Sequence, residues 1–169
     1  MIWTMGEMIV EIMREKEDVS LYEPGCFIGP FPSGAPAIFI DTAAKMGHRA
    51  GIIGCVGDDE FGRCLTDRLT GHGVDCRYVQ IDRTVSTGCA FVTYFSDGSR
   101  KFIFHLGNSA AGKARMPEIF ERAELSGKPE IRGESERTGT QETPEIPACE
   151  YFHIMGCSLM ADKTFGEEI

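Results

Sequence analysis

The chain has 169 residues, a length that suits one folded domain with its own hydrophobic core. Seventeen Lys and Arg residues oppose 26 Asp and Glu residues, and the formal net charge of −9 disfavours a protein that binds the phosphate backbone of nucleic acid. The chain contains 20 glycines in 169 residues, about 12%, against an ordinary usage of roughly 7%. This excess predicts many tight turns between short elements.

The first predicted elements are a strand and a helix. Residues 6–13 are rich in β-compatible side chains and form a run short enough for a strand. After a polar stretch to about Pro32, apolar positions recur at helical spacing over 37–46, behind a proline that the first turn of a helix tolerates. Gly47 is expected to end this helix.

The next segments continue the alternation. Residues 49–56 form a compact apolar run bounded by glycines, which indicates a buried strand. Asp58 or Asp59 is placed to cap a helix that runs to about Leu69, and residues 74–81 supply another strand. Strand, helix, strand, helix and strand in succession predict a layered α/β fold with parallel strands.

A β-hairpin is predicted next. Residues 87–95 and 100–105 are two β-rich runs joined by Ser96-Asp97-Gly98-Ser99, and the Asp-Gly pair supports the positive φ of a tight turn. An antiparallel hairpin attached to an α/β unit is expected to form a lid or a dimer edge.

The last third of the chain is predicted to contain an insert and one more strand. Residues 126–147 contain five Glu, three Pro and only two large apolar residues, which predicts a loop or a flexible, disordered insert. Residues 151–155 are apolar enough to predict a further buried strand.

Several motifs, taken in order, resemble those of the ribokinase-like (PfkB-type) carbohydrate kinases. They are Gly6-Glu7, Ser33-Gly34-Ala35-Pro36-Ala37, the run from Gly54 to Gly62, the run from Leu69 to Asp75, Thr87-Gly88-Cys89-Ala90, Asp97-Gly98-Ser99-Arg100 and Asn108-Ser109-Ala110-Ala111. The resemblance spans about residues 5–112 and resumes at 151–159. It implies a three-layer α/β sandwich with a mainly parallel sheet and a small β lid over about 87–106. Residues 1–169 would then be the N-terminal part of a single sugar-kinase domain whose C-terminal half is missing.

The resemblance also implies an activity, the ATP-dependent phosphorylation of a sugar or sugar-acid hydroxyl with ATP and Mg²⁺. In such kinases a carboxylate from the first strand and the backbone of a Gly-Gly turn hold the sugar. Glu11 stands where many members carry Asp, Ser33-Gly34 replaces Gly-Gly, and Ile38 replaces the usual Asn. A carboxylate can accept two hydroxyl hydrogen bonds and so position the reacting hydroxyl. From the residues alone, Glu11 is equally well explained as a solvated charge on a strand.

The predicted lid supplies the other candidate substrate-binding residues. Arg100 follows the hairpin turn and can reach a carboxylate or phosphate of the substrate, the alternative being a solvated charge on an edge strand. Tyr94 and His105 resemble aromatic lid residues of the branch that acts on 2-keto-3-deoxygluconate, although Leu106 stands near the place of an expected Arg. A sugar and a sugar acid therefore both remain open.

The catalytic step has no candidate residue in this chain. The resemblance implies that the catalytic base and the anion hole come from a Gly-x-Gly-Asp turn, and residues 1–169 contain no such motif. We therefore expect that the base lies beyond residue 169 and that the chain alone is inactive. The alternative, from another class, is a non-catalytic sugar-binding module or a homodimer joined through the lid.

Cysteine and acidic residues give no sign of a metal site. Seven cysteines form no Cys-x-x-Cys pair, and their odd number fits a reduced, cytoplasmic protein better than a disulfide framework. Cys55, Cys89 and Cys157 lie in apolar contexts and are predicted to be small core residues. Asp58 and Asp59 are better explained as helix caps than as metal ligands. The N-terminus lacks a basic region and no apolar run reaches 18 residues, which predicts neither export nor membrane insertion.

Overall fold

The computed structural model describes residues 1–117 and 149–161. In chain order, its elements are β1 (Ile2–Met5), β2 (Ile9–Arg14), β3 (Phe27–Ser33), α1 (Ala35–Lys45), β4 (Ala50–Gly57), α2 (Glu60–Gly71), β5 (Asp75–Asp82), β6 (Gly88–Tyr94), β7 (Arg100–His105), a 3-10 helix (Ala110–Gly112), β8 (Tyr151–Ile154) and α3 (Gly156–Ala161). The predicted insert over 126–147 lies outside the described residues. Within the described ranges, no helix is both long and apolar enough to cross a membrane.

The strands form two four-stranded sheets. The core sheet has the order β5–β4–β1–β8, and its three pairings are parallel. The lid sheet has the order β3–β2–β6–β7, in which β2 and β6 are parallel and both outer pairings are antiparallel. Residues 6–8 carry the chain directly from the core sheet to the lid sheet. The predicted α/β class, with a parallel sheet and a separate β lid, is confirmed.

The hydrophobic core lies on both faces of the core sheet. β4 is buried at every position, as expected for a central strand of a parallel sheet that is covered on both faces. On one face, Ile52 belongs to an apolar cluster with Ile40 of α1 and Leu65 of α2. On the other face, Trp3 and Ile53 belong to a second cluster that includes Ala110 of the 3-10 helix. Both helices are amphipathic and bury one side against this sheet.

The turn and cap residues act as their chemistry predicts. Asp59 is the N-cap of α2, and its side chain accepts a hydrogen bond from the Gly62 amide at 2.8 Å. Gly47 follows α1 with a φ of +88°, and Gly98 in the hairpin turn has a φ of +82°. Residues with a Cβ adopt this left-handed region only with strain, so glycine is favoured at both places.

Three local predictions were wrong. The strand predicted over 6–13 begins at Ile9, because residues 6–8 cross from the core sheet to the lid sheet. A separate strand, β1, precedes it, and β3 lies within the stretch that was predicted to be only polar. β8 was predicted to be buried, yet Tyr151 is 69% exposed, because β8 is the outer strand of the core sheet in the described part of the chain.

Candidate functional site

A cavity of about 570 Å³ lies between the lid sheet and the first turn of α1. Six of the seven residues predicted to bind substrate line it, namely Glu11, Ser33, Gly34, Ile38, Tyr94 and Arg100. They come from the lid strands β2, β3, β6 and β7 and from the start of α1. Residues that are up to 89 positions apart in sequence, from Glu11 to Arg100, therefore share one concave site, the kind of surface that binds small molecules.

The alternation of side chains along a strand selects which lid residues face the cavity. Arg100, Phe102 and Phe104 are alternate residues of β7, and all three line the cavity. Tyr94 lies directly opposite Arg100 in the antiparallel pair of β6 and β7. The lid thus presents one cation and a wall of aromatic side chains to the same space.

His105 is the one predicted site residue that the structure does not bring to the cavity. It is five positions after Arg100, an odd separation, so it faces the other side of β7. Its ring packs edge-on against Phe91, with 5.7 Å between the ring centroids. Leu106, just beyond the strand, lines the cavity instead.

Glu11 is held in place by a neighbouring strand. The Ser33 hydroxyl donates a hydrogen bond to Glu11 Oε1 at 2.9 Å. Within the part of the chain that the structure describes, no side chain or amide donates to Glu11 Oε2. The carboxylate is only half-buried, so this second oxygen can accept a hydrogen bond from a ligand hydroxyl.

Gly34 allows close approach of the backbone at the base of the cavity. Its φ is +101°, and a Cβ there would lie 2.5 Å from the carbonyl oxygen of Glu7. No other residue type fits this position without moving the backbone. Ile38 lies one helical turn further along α1 and is 53% exposed at the edge of the cavity.

Two polar residues that were not predicted to bind substrate, Glu7 and Cys157, also line the cavity. Glu7 is only 7% exposed, and its Oε2 accepts a hydrogen bond from the Ser158 hydroxyl at 2.5 Å. The Cys157 thiol donates to Glu7 Oε1 at 3.2 Å. Cys157 is exposed, but its partial burial beside Glu7, followed by the hydrogen bond and the charge of Glu7, raises the pKa of its thiol, which keeps the thiol protonated and able to donate. An acid flanked by Gly6 and Met8, in an otherwise apolar segment, was the available sequence signal for Glu7.

The cysteine prediction was correct at one position and wrong at another. Cys55 is buried in the core and Cys89 is half-buried. Cys157 is exposed, because it follows the outer strand β8 at the start of α3 and borders the open cavity.

The acidic residues provide no metal centre in this part of the molecule. Among residues 1–117 and 149–161, no three His, Cys, Asp or Glu side chains are grouped so that they could hold a metal ion. Asp59 caps α2, and Asp58 forms a surface ion pair with Arg83 at 3.3 Å. The described residues therefore do not fit a Mg²⁺ site, and we assign no Mg²⁺ ligand to them.

Comparisons with known proteins identify relatives of this chain. The chain matches the model of the pfkB family carbohydrate kinase over residues 5–126. It is 39% identical to Fructokinase-1 of Oryza sativa subsp. japonica over 110 residues, which are 65% of this chain and 34% of the rice protein. The chain spans about a third of the length of the curated relatives that it matches.

Solved structures show the same fold. An E. coli protein described as ribokinase II, in its apo form, is 40% identical, with a TM-score of 0.74 and coverage of 94% of this chain and 44% of that chain. The structure described as ribokinase II from E. coli in complex with ATP and Mg²⁺ gives a TM-score of 0.73 at 39% identity, with coverage of 94% and 43%.

Proposed function

We propose that this chain, which belongs to the pfkB family of carbohydrate kinases, forms the sugar-binding part of an enzyme that transfers a phosphoryl group from ATP to a hydroxyl of a neutral sugar. The observation that carries the proposal is the cavity beneath the lid sheet, where Glu11 presents a carboxylate oxygen near the open backbone of Gly34. A polyhydroxylated ligand needs such acceptors, held in fixed positions by a scaffold.

Charge in the cavity favours a neutral sugar over a sugar acid. Glu7 and Glu11 line it with carboxylates, whereas Arg100 is the one Lys or Arg among the described residues that line it, and Arg100 is exposed. Two like unit charges about 6 Å apart repel by about 3 kcal/mol at an effective dielectric constant of about 20. Leu106 adds an apolar surface at the place where the resemblance to sugar-acid kinases implies an Arg. Because the rice relative is named a fructokinase, fructose is the first sugar to test.

The chain's own residues bind and orient the sugar in this proposal. Ser33 fixes the Glu11 carboxylate, which accepts a sugar hydroxyl and limits the rotation of the acceptor. Phe102, Phe104 and Leu106 pack against the C–H surface of the sugar and exclude water. In the complete enzyme, ATP would supply the phosphoryl group, and the described residues of this chain are assigned no part in that transfer beyond holding the sugar.

Sugar affinity tests the role of Glu11. We expect the 169-residue chain to bind fructose in a calorimetric titration and to bind gluconate more weakly. Glu11→Ala is expected to weaken fructose binding by about tenfold or more, since a hydrogen bond to a charged group contributes about 1.5–3 kcal/mol. Glu17→Ala, at an exposed acid in the β2–β3 connection, is the matched control. Equal affinity of the parent and Glu11→Ala rules out the ligand role.

Turnover is a separate prediction. Because the sequence contains no Gly-x-Gly-Asp turn, we expect no sugar-dependent release of ADP from the 169-residue chain alone. Release of ADP with fructose would contradict this expectation. If the parent binds no sugar but associates in a sedimentation experiment, the result favours the alternative of a dimerisation module.

A further inference from the structure

The position of Glu7 follows from the parallel pairing of two distant strands. β1 and β8 are paired in parallel, with Met5 opposite Ile154. Glu7 follows β1 by two residues, and Cys157 follows β8 by three. Because both strands end at the same edge of the sheet, residues about 150 positions apart meet there, at the edge where ligands bind in open α/β sheets.

The Glu7 carboxylate is satisfied by the start of α3. It is buried, and its two oxygens accept hydrogen bonds from the Ser158 hydroxyl and the Cys157 thiol. A buried carboxylate without donors is strongly destabilising. Ser158 itself is fully buried, and its amide donates to the carbonyl oxygen of Met155 at 3.0 Å, which closes the turn between β8 and α3. The orientation of Glu7 and the position of this turn therefore depend on each other.

Three segments of the cavity wall pack together at this point. A Cβ on Gly6 would lie 2.6 Å from Ser158 Oγ and 2.2 Å from Pro36 Cγ, and a Cβ on Gly34 would lie 2.5 Å from the Glu7 carbonyl oxygen. Residues 6–8, the start of α1 and the start of α3 are thus in close contact. A displacement of α3 would change the shape of the cavity where Gly34 and Cys157 line it.

We propose that Glu7 is a positioning residue for the sugar: by holding Cys157 and Ser158, it fixes the start of α3 against the cavity and thereby sets the affinity for the sugar. This inference rests on the proposed function. The role requires a carboxylate, because both partners donate and a carboxylate accepts on both oxygens, whereas glutamine has one acceptor oxygen and one NH₂ donor.

The test combines Glu7→Gln, Ser158→Ala and the double variant in the 169-residue chain. Fructose affinity is measured by calorimetry, and the alkylation rate of Cys157 by iodoacetamide is followed by peptide mass spectrometry in the absence of sugar. Exposed Cys26 is the internal reference, and Glu17→Gln is the matched control for the loss of a charge. Ser158→Ala retains the Glu7 charge, so a faster reaction of Cys157 in that variant reports movement of the turn rather than a changed thiol pKa.

We expect each single variant to weaken fructose binding by about tenfold, and the double variant to weaken it no further than the stronger single variant, because both remove the same contact. Alkylation of Cys157 should be several-fold faster in Ser158→Ala, with the alkylation rate of Cys26 unchanged.

Two results for the affinity overturn the positioning role. If the loss of affinity in the double variant is the product of the losses in the two single variants, Glu7 contacts the sugar directly. Unchanged affinity in both single variants also overturns the role. If the parent binds no sugar, the proposed function fails and the alkylation rates alone decide. In that case, an unchanged alkylation rate of Cys157 in Ser158→Ala would show that Glu7 does not fix the start of α3, and a faster rate would show that it does.

Discussion

Replacement of Asp59 by alanine is expected to lower the free energy of unfolding by about 2–4 kcal/mol. The Asp59 side chain accepts three hydrogen bonds: from the Gly62 amide at 2.8 Å, from the Thr87 amide at 2.8 Å and from the Thr87 hydroxyl at 2.7 Å. The first bond caps α2, and the other two connect that helix to the residue just before the lid strand β6. The variant therefore removes a helix cap and a link between the helix layer and the lid.

The magnitude follows from adding these two losses. Loss of an N-cap side chain costs about 1 kcal/mol, with a range of about 0.5–2. Thr87 is buried, and leaving its polar groups without an acceptor costs about 1–3 kcal/mol more. The two ranges sum to about 1.5–5 kcal/mol. Asp59 is itself only half-buried, so water replaces part of what is lost, and the upper end of the sum is not expected, which leaves about 2–4 kcal/mol. Asp59→Asn should lose less, since its remaining oxygen still accepts one or two of the three bonds.

Urea unfolding, followed by the fluorescence of the single, fully buried Trp3, measures the change. The matched control is Asp58→Ala, one residue earlier, where an exposed ion pair with Arg83 is worth less than about 1 kcal/mol. If Asp59→Ala and Asp58→Ala unfold at the same urea concentration, the assignment of the cap and the lid link is refuted.

The pH dependence gives a second readout for Asp59. Burial raises the pKa of this carboxyl, but hydrogen bonds from Thr87 and Gly62 outweigh burial and hold the pKa below its ordinary value. A carboxyl whose pKa is depressed by folding contributes stability above its unfolded pKa of about 3.9, and this contribution is lost as the pH falls through the folded value. The stability difference between the parent and Asp59→Ala should therefore be constant near neutral pH and narrow in acid. A difference that widens in acid would contradict the assigned hydrogen bonds.

Two further predictions concern the core and the surface. Gly51→Ala should destabilise the fold by more than about 1 kcal/mol and shift the fluorescence emission of Trp3, because a Cβ at residue 51 would lie 2.5–2.6 Å from three atoms of the Trp3 ring. Unchanged emission and unchanged stability would contradict this packing. Hydrogen bonds from the Thr84 side chain and amide and from Lys113 lower the pKa of Asp82 to about 2. Thr84→Ala should therefore raise the pKa of Asp82 in an NMR titration, while leaving it below the ordinary value. An unchanged pKa would show that the Thr84 hydroxyl does not donate a hydrogen bond to Asp82.

Local chemistry explains which parts of the fold were predictable. The Asp59 cap, the left-handed glycines after α1 and in the hairpin, and the alternation of strand and helix depend on residues within a few positions of one another. The family prediction, made from the order and spacing of such local motifs, is confirmed. The opposite orientation of His105 could also have been predicted, because its odd separation from Arg100 places it on the other face of the same strand.

The parts that were missed depend on contacts between distant residues. β3 lies at the edge of the lid sheet, where Phe27, Ile28 and Phe31 are partly exposed, so no simple alternation of buried and polar residues marks it. Cys157 has an apolar sequence context, but its place after the outer strand β8 exposes it at the cavity. Burial at these positions is decided by what packs on them and not by their own side chains.

By itself, the sequence determined the α/β class, the alternation of strand and helix from α1 to β5, the hairpin and the family, because these follow from local propensity, side-chain periodicity and motif spacing. It also named six of the residues that line the cavity. Only the tertiary structure decided that Glu7, at the crossing between the two sheets, would meet Cys157 and Ser158 about 150 residues later. The physical reason is the parallel pairing of β1 with β8, which brings the ends of two distant strands to one edge of the core sheet.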